Sequence, residues 1–150
     1  MIKVFCVDDN PATLNLYQVV FELERDMEYA GGLESTESLT EALEVVRPSI
    51  LLLDLSIPGC DTLEDLAQIR ARFPDLAILV ASGHDDDRIV EEAFTHGASG
   101  FLLKTTHLAD SVAAIRRVVA GECVDTRPHA ARIRARESGS PGTELRGEVD

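Results

Sequence analysis

No run of apolar residues in this 150-residue chain approaches the roughly 20 that a membrane-spanning helix needs. The first residues also lack the basic start and long apolar stretch of a signal peptide. Cysteine is scarce and scattered. Cys6, Cys60 and Cys123 are odd in number, far apart and form no Cys-x-x-Cys pair. That spacing argues against a disulfide framework or a thiolate zinc site and points to a reducing cytoplasm. Basic clusters are missing too. With a net charge of −13, the chain is not expected to grip nucleic acid by itself, because phosphate contacts need grouped Lys and Arg. Residues from Arg127 onward carry five Arg against four acids, so the negative charge belongs to the preceding body. Of the 14 basic residues only Lys3 and Lys104 are lysine. A chain that otherwise chooses Arg has kept Lys at 104.

What the chain does have is organised around Ser49-Ile50-Leu51-Leu52-Leu53-Asp54-Leu55. A continuous apolar run, bounded by Pro48 before and Pro58-Gly59 after, suits a strand buried on both faces at the centre of a parallel sheet. Chemistry in open parallel sheets lies just beyond the carboxyl ends of the strands, which is where Asp54 stands. A second strand, Ile2 to Val7, runs into Asp8-Asp9. Carboxylates converging there repel one another unless a cation holds them.

The rest alternates. Asn10-Pro11 reads as an N-cap with proline at the first helical position, followed by Leu14, Tyr17, Val20 and Phe21 at helical spacing. Glu28 to Leu33 is a short, glycine-interrupted strand at the sheet edge. Ser38 to Glu41 and Thr62 to Asp65 read as capping boxes opening the next two helices. Leu76 to Ala81 is a buried strand ending at Ser82-Gly83, and Asp85-Asp86-Asp87 open a helix in the place that favours acids. Gly97 closes that helix. Gly100 to Lys104 is the last strand, and Thr105 or Thr106 caps a helix ended by Gly121. Five strands alternating with five helices imply a doubly wound α/β fold: a parallel sheet, right-handed crossovers and helices on both faces. The domain is expected over residues 1–124, with a flexible linker or tail over 125–150 that holds no DNA-binding domain. A short helix through residues 130–137 would be marginal in isolation.

Four strand ends then carry functional groups: Asp8 and Asp9, Asp54, Ser82 and Lys104. Carboxylate oxygens suit Mg²⁺, which keeps several waters and takes one or two carboxylates. Such an ion relieves repulsion and neutralises charge on an incoming phosphoryl group. Phosphoryl transfer needs alignment and charge stabilisation. Lys104 offers a mobile positive charge, Ser82 a hydroxyl donor, and Asp54 a nucleophile able to become an aspartyl phosphate. Taken singly, the Asp pair reads equally well as a helix cap, Ser82 as structural and Lys104 as a solvated strand end. Their joint placement at strand termini favours the chemical reading.

Val7-Asp8-Asp9, Leu52 through Gly59, Ala81-Ser82-Gly83 and Gly100 through Lys104 together resemble the response-regulator receiver domains of two-component signalling, over residues 1 to about 122. The resemblance implies the flavodoxin-like, CheY-like strand order 2-1-3-4-5 with five helices. It implies phosphorylation of Asp54 by a phosphohistidine of a partner histidine kinase or phosphotransfer protein. Mg²⁺ would be held by Asp9, Asp54 and the backbone carbonyl of Ser56, with Asp8 assisting through water. Ser82 and Phe101 match the switch pair, and Lys104 the phosphoryl-contacting lysine. For Phe101, ordinary core packing is the competing account. Gly97 to Glu122 is most similar to the receivers of NarL/FixJ regulators, whose output is a LuxR-type DNA-binding module. About 25 residues after the fifth helix are too few for that module, so a fragment of a transcriptional regulator and a regulator without output both stay open. Homodimerisation on phosphorylation, through the first and fifth helices, is the expected output.

Other functions compete. A Mg²⁺-dependent phosphohydrolase using Asp54 usually needs an acid two residues on, where Ser56 stands. A nucleotide binder would need a glycine-rich turn where the chain has Asp8-Asp9-Asn10-Pro11, so a phosphate would meet carboxylates there. A pseudo-receiver acting purely as an interaction module would keep the fold without the phosphorylation.

Overall fold

The computed structural model describes residues 1–128. Strands and helices alternate along the chain: β1 Ile2–Val7, α1 Pro11–Glu22, β2 Met27–Leu33, α2 Leu39–Val46, β3 Ile50–Asp54, α3 Thr62–Arg72, β4 Ala77–Ser82, α4 Asp87–Thr95, β5 Gly100–Leu103, α5 Leu108–Val119 and β6 Val124–Asp125. All the strand pairings are parallel, in the order β2-β1-β3-β4-β5-β6. Five strands are expected from the sequence pattern and the described sheet has six. The extra one pairs Gly100 with Val124 and Phe101 with Asp125. It is two residues long and carries no periodicity of its own; backbone pairing with β5 makes it a strand. Gly100 allows the approach, since a Cβ there would meet the Val124 carbonyl at 3.1 Å and the Val118 side chain at 3.0 Å.

The period-2 alternation of strand side chains divides the core into two layers. From β3, Ile50 and Leu52 face Leu14, Tyr17 and Phe21 of α1 and Ile115 and Val118 of α5. Leu51 and Leu53 face the other way, toward Leu39 and Leu43 of α2, Leu66 and Ile69 of α3, and Val90 and Ala93 of α4. Every residue of β3 is buried, which is why its apolar run has no polar break. Burial on both faces packs it between the two layers, and it ends at Asp54. The glycine-interrupted strand β2 does lie at the edge, and its register slips opposite Val4 and Phe5, where Gly31 takes a φ of 140°.

The helix caps are partly as expected. The Asn10 side chain accepts from the Ala12 N–H, with Pro11 at the first helical position. Asp86 caps α4 by accepting from the Arg88 N–H, and Gly97 and Gly121 take positive φ beyond their helices. Three caps differ. Asp61, not Thr62, caps α3 by accepting from the Glu64 N–H; the Thr62 hydroxyl instead donates to the Leu55 carbonyl. Ser38 precedes α2 without a side-chain capping bond. His107, rather than Thr105 or Thr106, precedes α5. The linker expected over 125–150 falls outside the described residues from 129 on, as does the short helix over 130–137; of its first residues, Asp125 belongs to β6 and Arg127 is buried.

The lower edge of the sheet is tied by one side chain. Arg70 donates to the carbonyls of Gly97 at 2.9 Å, Phe73 at 3.2 Å, Pro74 at 3.0 Å and Leu76 at 2.6 Å, and to the Ser99 hydroxyl at 3.1 Å. Charge-assisted bonds to partly buried carbonyls are expensive to lose. Arg70→Met is expected to lower stability by about 2–3 kcal/mol in urea unfolding. Arg72→Met, which breaks an exposed pair with Glu44 and a contact over the Phe73 ring at 6.0 Å, should stay within about 1 kcal/mol. Equal losses at the two positions would show that Arg70 makes no special tie.

Candidate functional site: an acidic cluster with one lysine

The parallel arrangement brings the carboxyl ends of β1, β3, β4 and β5 to one edge. Asp8 follows β1, Asp54 ends β3, Ser82 ends β4 and Lys104 follows β5. Oxygens of Asp8, Asp9 and Asp54 all lie within 4.8 Å of one another. Asp8 and Asp54 are buried and Asp9 is exposed. The Lys104 ammonium bridges the two buried acids, donating to Asp8 Oδ2 at 2.9 Å and to Asp54 Oδ2 at 3.0 Å. The second oxygen of each acid is held by main chain: Asn10 N–H donates to Asp8 Oδ1 at 3.0 Å and Ser56 N–H to Asp54 Oδ1 at 2.9 Å. The expected constellation of Asp8, Asp9, Asp54 and Lys104 is therefore assembled in space.

Three carboxylates face one ammonium, and the electrostatics show the imbalance. Burial pushes Asp54 above the ordinary carboxylate range. The Ser56 N–H and the Lys104 ammonium pull it down, Asp8 pushes it further up, and burial dominates. For Lys104, burial favours the neutral amine, but the hydrogen bonds to Asp8 and Asp54 outweigh it and raise its pKa. An isolated ion pair would lower the acid as it raises the base. Here both rise, because one cation is shared among several anions in a poorly solvated place. Behind the cluster, burial and then the Asp8 charge push the Cys6 thiol upward, keeping it protonated and inert.

Ser82 is buried, and its Oγ accepts from the His84 N–H at 3.0 Å, holding the β4–α4 turn. A cleft of about 230 Å³ opens beside the cluster between Ser56, Cys60, Thr62, Ser82 and His84. Phe101 is fully buried in the layer with Val80 and Val90. The pattern of residues gave no warning of Arg127, whose guanidinium carbon lies 5.9 Å from the centre of the Phe101 ring.

Fold and site together define a signalling domain of two-component systems. The chain matches the response regulator receiver domain family over residues 4–116, and it belongs to that family. Among its relatives are the transcriptional regulatory protein DegU of Brevibacillus brevis, 28% identical over 120 residues, which are 80% of this chain and 51% of that protein. The oxygen regulatory protein NreC of Staphylococcus epidermidis is 31% identical over 123 residues, 81% of this chain and 56% of that protein. The chain thus spans about half the length of such relatives. The receiver domain of the response regulator NarL from Mycobacterium tuberculosis superposes with a TM-score of 0.73 at 28% identity, covering 81% of this chain and 98% of that one. The isolated receiver domain of RcsB from Salmonella enterica serovar Typhimurium, at 23% identity, shares the fold with a TM-score of 0.78 over 88% and 97% of the two chains. The chain is a receiver domain homologous to those of LuxR-family transcriptional regulators, a signalling rather than a catalytic module.

The shared lysine makes a prediction about stability. Because Asp54 keeps its proton to a higher pH than an unfolded aspartic acid at about 3.9, the unfolded chain loses that proton first. Burying Asp54 thus costs stability progressively as pH rises through and above the ordinary carboxylate range. Without divalent metal, Asp54→Asn is expected to raise the melting temperature at neutral pH by a few degrees, a gain that fades as pH falls into that range. Lys104→Met should cost about 2–4 kcal/mol in the wild-type background and clearly less alongside Asp54→Asn. A double-mutant cycle with no coupling would overturn the shared-cation account.

Proposed function

We propose that Asp54 is the phosphoacceptor of this receiver, taking a phosphoryl group from a phosphohistidine on a histidine kinase or phosphotransfer protein. The observation that carries the reading is the Lys104 ammonium lodged between two buried carboxylates at adjoining strand ends. A nucleophilic carboxylate needs a positive group already in place to receive the oxygens of the incoming phosphoryl. Lys104 is that group, and it is mobile enough to follow charge from carboxylate to phosphate. Ser82, at the mouth of the adjacent cleft, supplies a hydroxyl once its Oγ turns from the His84 N–H. The product is an acyl phosphate on the Asp54 carboxylate, with the histidine of the donor as leaving group.

The residues fit a divalent cation. Three carboxylates within reach of a single point, carrying one ammonium among them, are the hard and over-negative donor set that Mg²⁺ takes. Asp9 and Asp54 would hold the ion, with Asp8 through water and the Ser56 carbonyl as a further ligand. When bound, Mg²⁺ supplies charge neutralisation for the phosphoryl group. Asp8 and Lys104 keep Asp54 oriented, and Ser56 N–H fixes the oxygen that does not react. The same groups assist loss of the phosphoryl to water, so the domain aids its own phosphorylation and dephosphorylation without being an enzyme on other substrates.

For output, a phosphoryl oxygen that recruits Ser82 and Lys104 shifts the ends of β4 and β5, and with them Phe101. Ser82 and Phe101 then act as the switch pair. Self-association through α1 and α5 is supported by the exposed Leu16 and Val19 on α1 and Leu23 at its C-cap, with Val119 of α5 exposed as well. The receiver would act in the control of transcription, in line with relatives described as transcriptional regulatory proteins. No helix among the described residues is long and apolar enough to cross a membrane, and the unpaired cysteines suit the reducing cytoplasm.

Two measurements test the reading. Incubated with a small phosphodonor and Mg²⁺, the wild-type chain should gain the mass of one phosphoryl group and Asp54→Asn none. A wild type that never gains it would favour a pseudo-receiver, and rapid repeated turnover of a phosphoester would favour a hydrolase. Millimolar Mg²⁺ should also raise the wild-type melting temperature, since it binds the native state, and do so far less in Asp54→Asn. A melt indifferent to Mg²⁺ would count against the metal site.

A further inference from the structure

The chain after α5 makes contacts that the acidic cluster does not require. Residues 123–128 fold back along the outer edge of β5 as a strap. Thr126 N–H donates to the Phe101 carbonyl at 3.1 Å, and its Oγ1 accepts from the Leu103 N–H at 2.9 Å. The same Oγ1 lies 2.8 Å from the Thr106 hydroxyl, in the turn just past Lys104. Arg127 is the strap's anchor, its side chain 3% exposed. Its guanidinium donates to both oxygens of Asp125, through Nε at 3.0 and 3.1 Å and a terminal nitrogen at 2.6 Å. The other terminal nitrogen reaches Asp87, the first residue of α4, at 2.7 Å. The Phe101 ring forms the floor.

These contacts fall on α4, on Phe101 and on the turn after Lys104. Two of the three lie next to the residues proposed to move. Lys104 N–H is bonded to the Ser82 carbonyl at 2.8 Å, so the ends of β4 and β5 shift together. A buried guanidinium is not withdrawn by degrees, because half-withdrawal leaves charges unpaired in a poorly solvated place. It sits in its seat or leaves it whole. The seat depends on the ring beneath it and on Thr106 beside it.

We propose that the strap of residues 123–128, anchored by Arg127, is a latch that is docked while Asp54 is unmodified and released when a phosphoryl group at Asp54 displaces Phe101 and the Lys104–Thr106 turn. This rests on the reading of Asp54 and of the switch pair given above and names its regulated element. The latch hands the state of the acidic cluster to whatever chain follows Pro128. It also holds the β5 edge closed against a second strand while docked. Linkage then demands the reverse effect: a chain whose strap is already loose must favour the phosphoryl-bound state by the same factor.

The test uses the full 150-residue chain with beryllium trifluoride and Mg²⁺ as the phosphoryl mimic, followed by amide hydrogen exchange. Loading is expected to speed exchange at the Thr126 amide about tenfold or more, leaving the Leu52 amide of β3 unchanged. R127Q should exchange fast at Thr126 without the mimic and bind it about fivefold more tightly. D87A removes the acceptor that ties Arg127 to α4 and should move both readouts the same way, which covers a failure of R127Q to fold. Loading verified by a melting shift beyond that of Mg²⁺ alone, with Thr126 exchange unchanged, would overturn the latch and leave the Asp54 reading intact. So would affinities equal to wild type in R127Q and D87A. A wild type that shows no melting shift with the mimic would overturn the Asp54 reading, and the latch with it.

Discussion

One ammonium shared by two buried carboxylates is the interaction on which this domain turns. Lys104 lies within 3.0 Å of both Asp8 and Asp54, residues 46 apart in the chain that meet only because β1 and β3 are neighbours in a parallel sheet. The arrangement is under-neutralised: it is stable enough to fold and still attracts further positive charge. A site that were fully compensated would exert no pull on a further cation, which is what the phosphoryl chemistry proposed for Asp54 calls for. The upward displacement of Asp54 and of Lys104 together expresses that condition.

The scaffold gives the cluster its accuracy. β3, with all five residues buried, fixes Asp54 from below, while the Thr62 hydroxyl and Asp61 cap hold the loop above it. Main-chain N–H groups of Asn10 and Ser56 set the orientation of the two acids. The movement proposed above falls on the other side of the site, at the ends of β4 and β5 that carry Ser82 and Lys104.

Much of this was legible in the residues. Each functional group stands at the end of an apolar run, and strand ends share one edge in any parallel sheet, so Asp8, Asp54 and Lys104 could be brought together without coordinates. Asn10-Pro11 announced α1 because the cap and the proline act within a few residues of each other. Legibility stopped where two local options were equally good or where the deciding partner was remote. Asp61 and Thr62 are both able caps, and the choice falls to Asp61 because the Leu55 carbonyl claims the Thr62 hydroxyl. Thr106 was expected near the start of α5, but its hydroxyl is engaged with Thr126, 20 residues away. β6 was missed for the same reason: two residues have no pattern, and their partner strand is what defines them. Arg127 looked like part of a basic, unstructured tail because Asp87, 40 residues earlier, gives no local sign of needing it.

The placement of β6 bears on how such modules are joined. Counting helices suggests that a receiver is complete at the end of α5, yet here the sheet takes its last strand from the chain beyond it. A recombination event with its crossover at Gly121 would graft a new output onto a receiver stripped of its own outermost strand. Phe101 and the β5 amides would then be uncovered unless the incoming sequence happened to restore them. A crossover that keeps this receiver's outermost strand and its Arg127 contacts therefore falls after Arg127, six residues beyond Gly121.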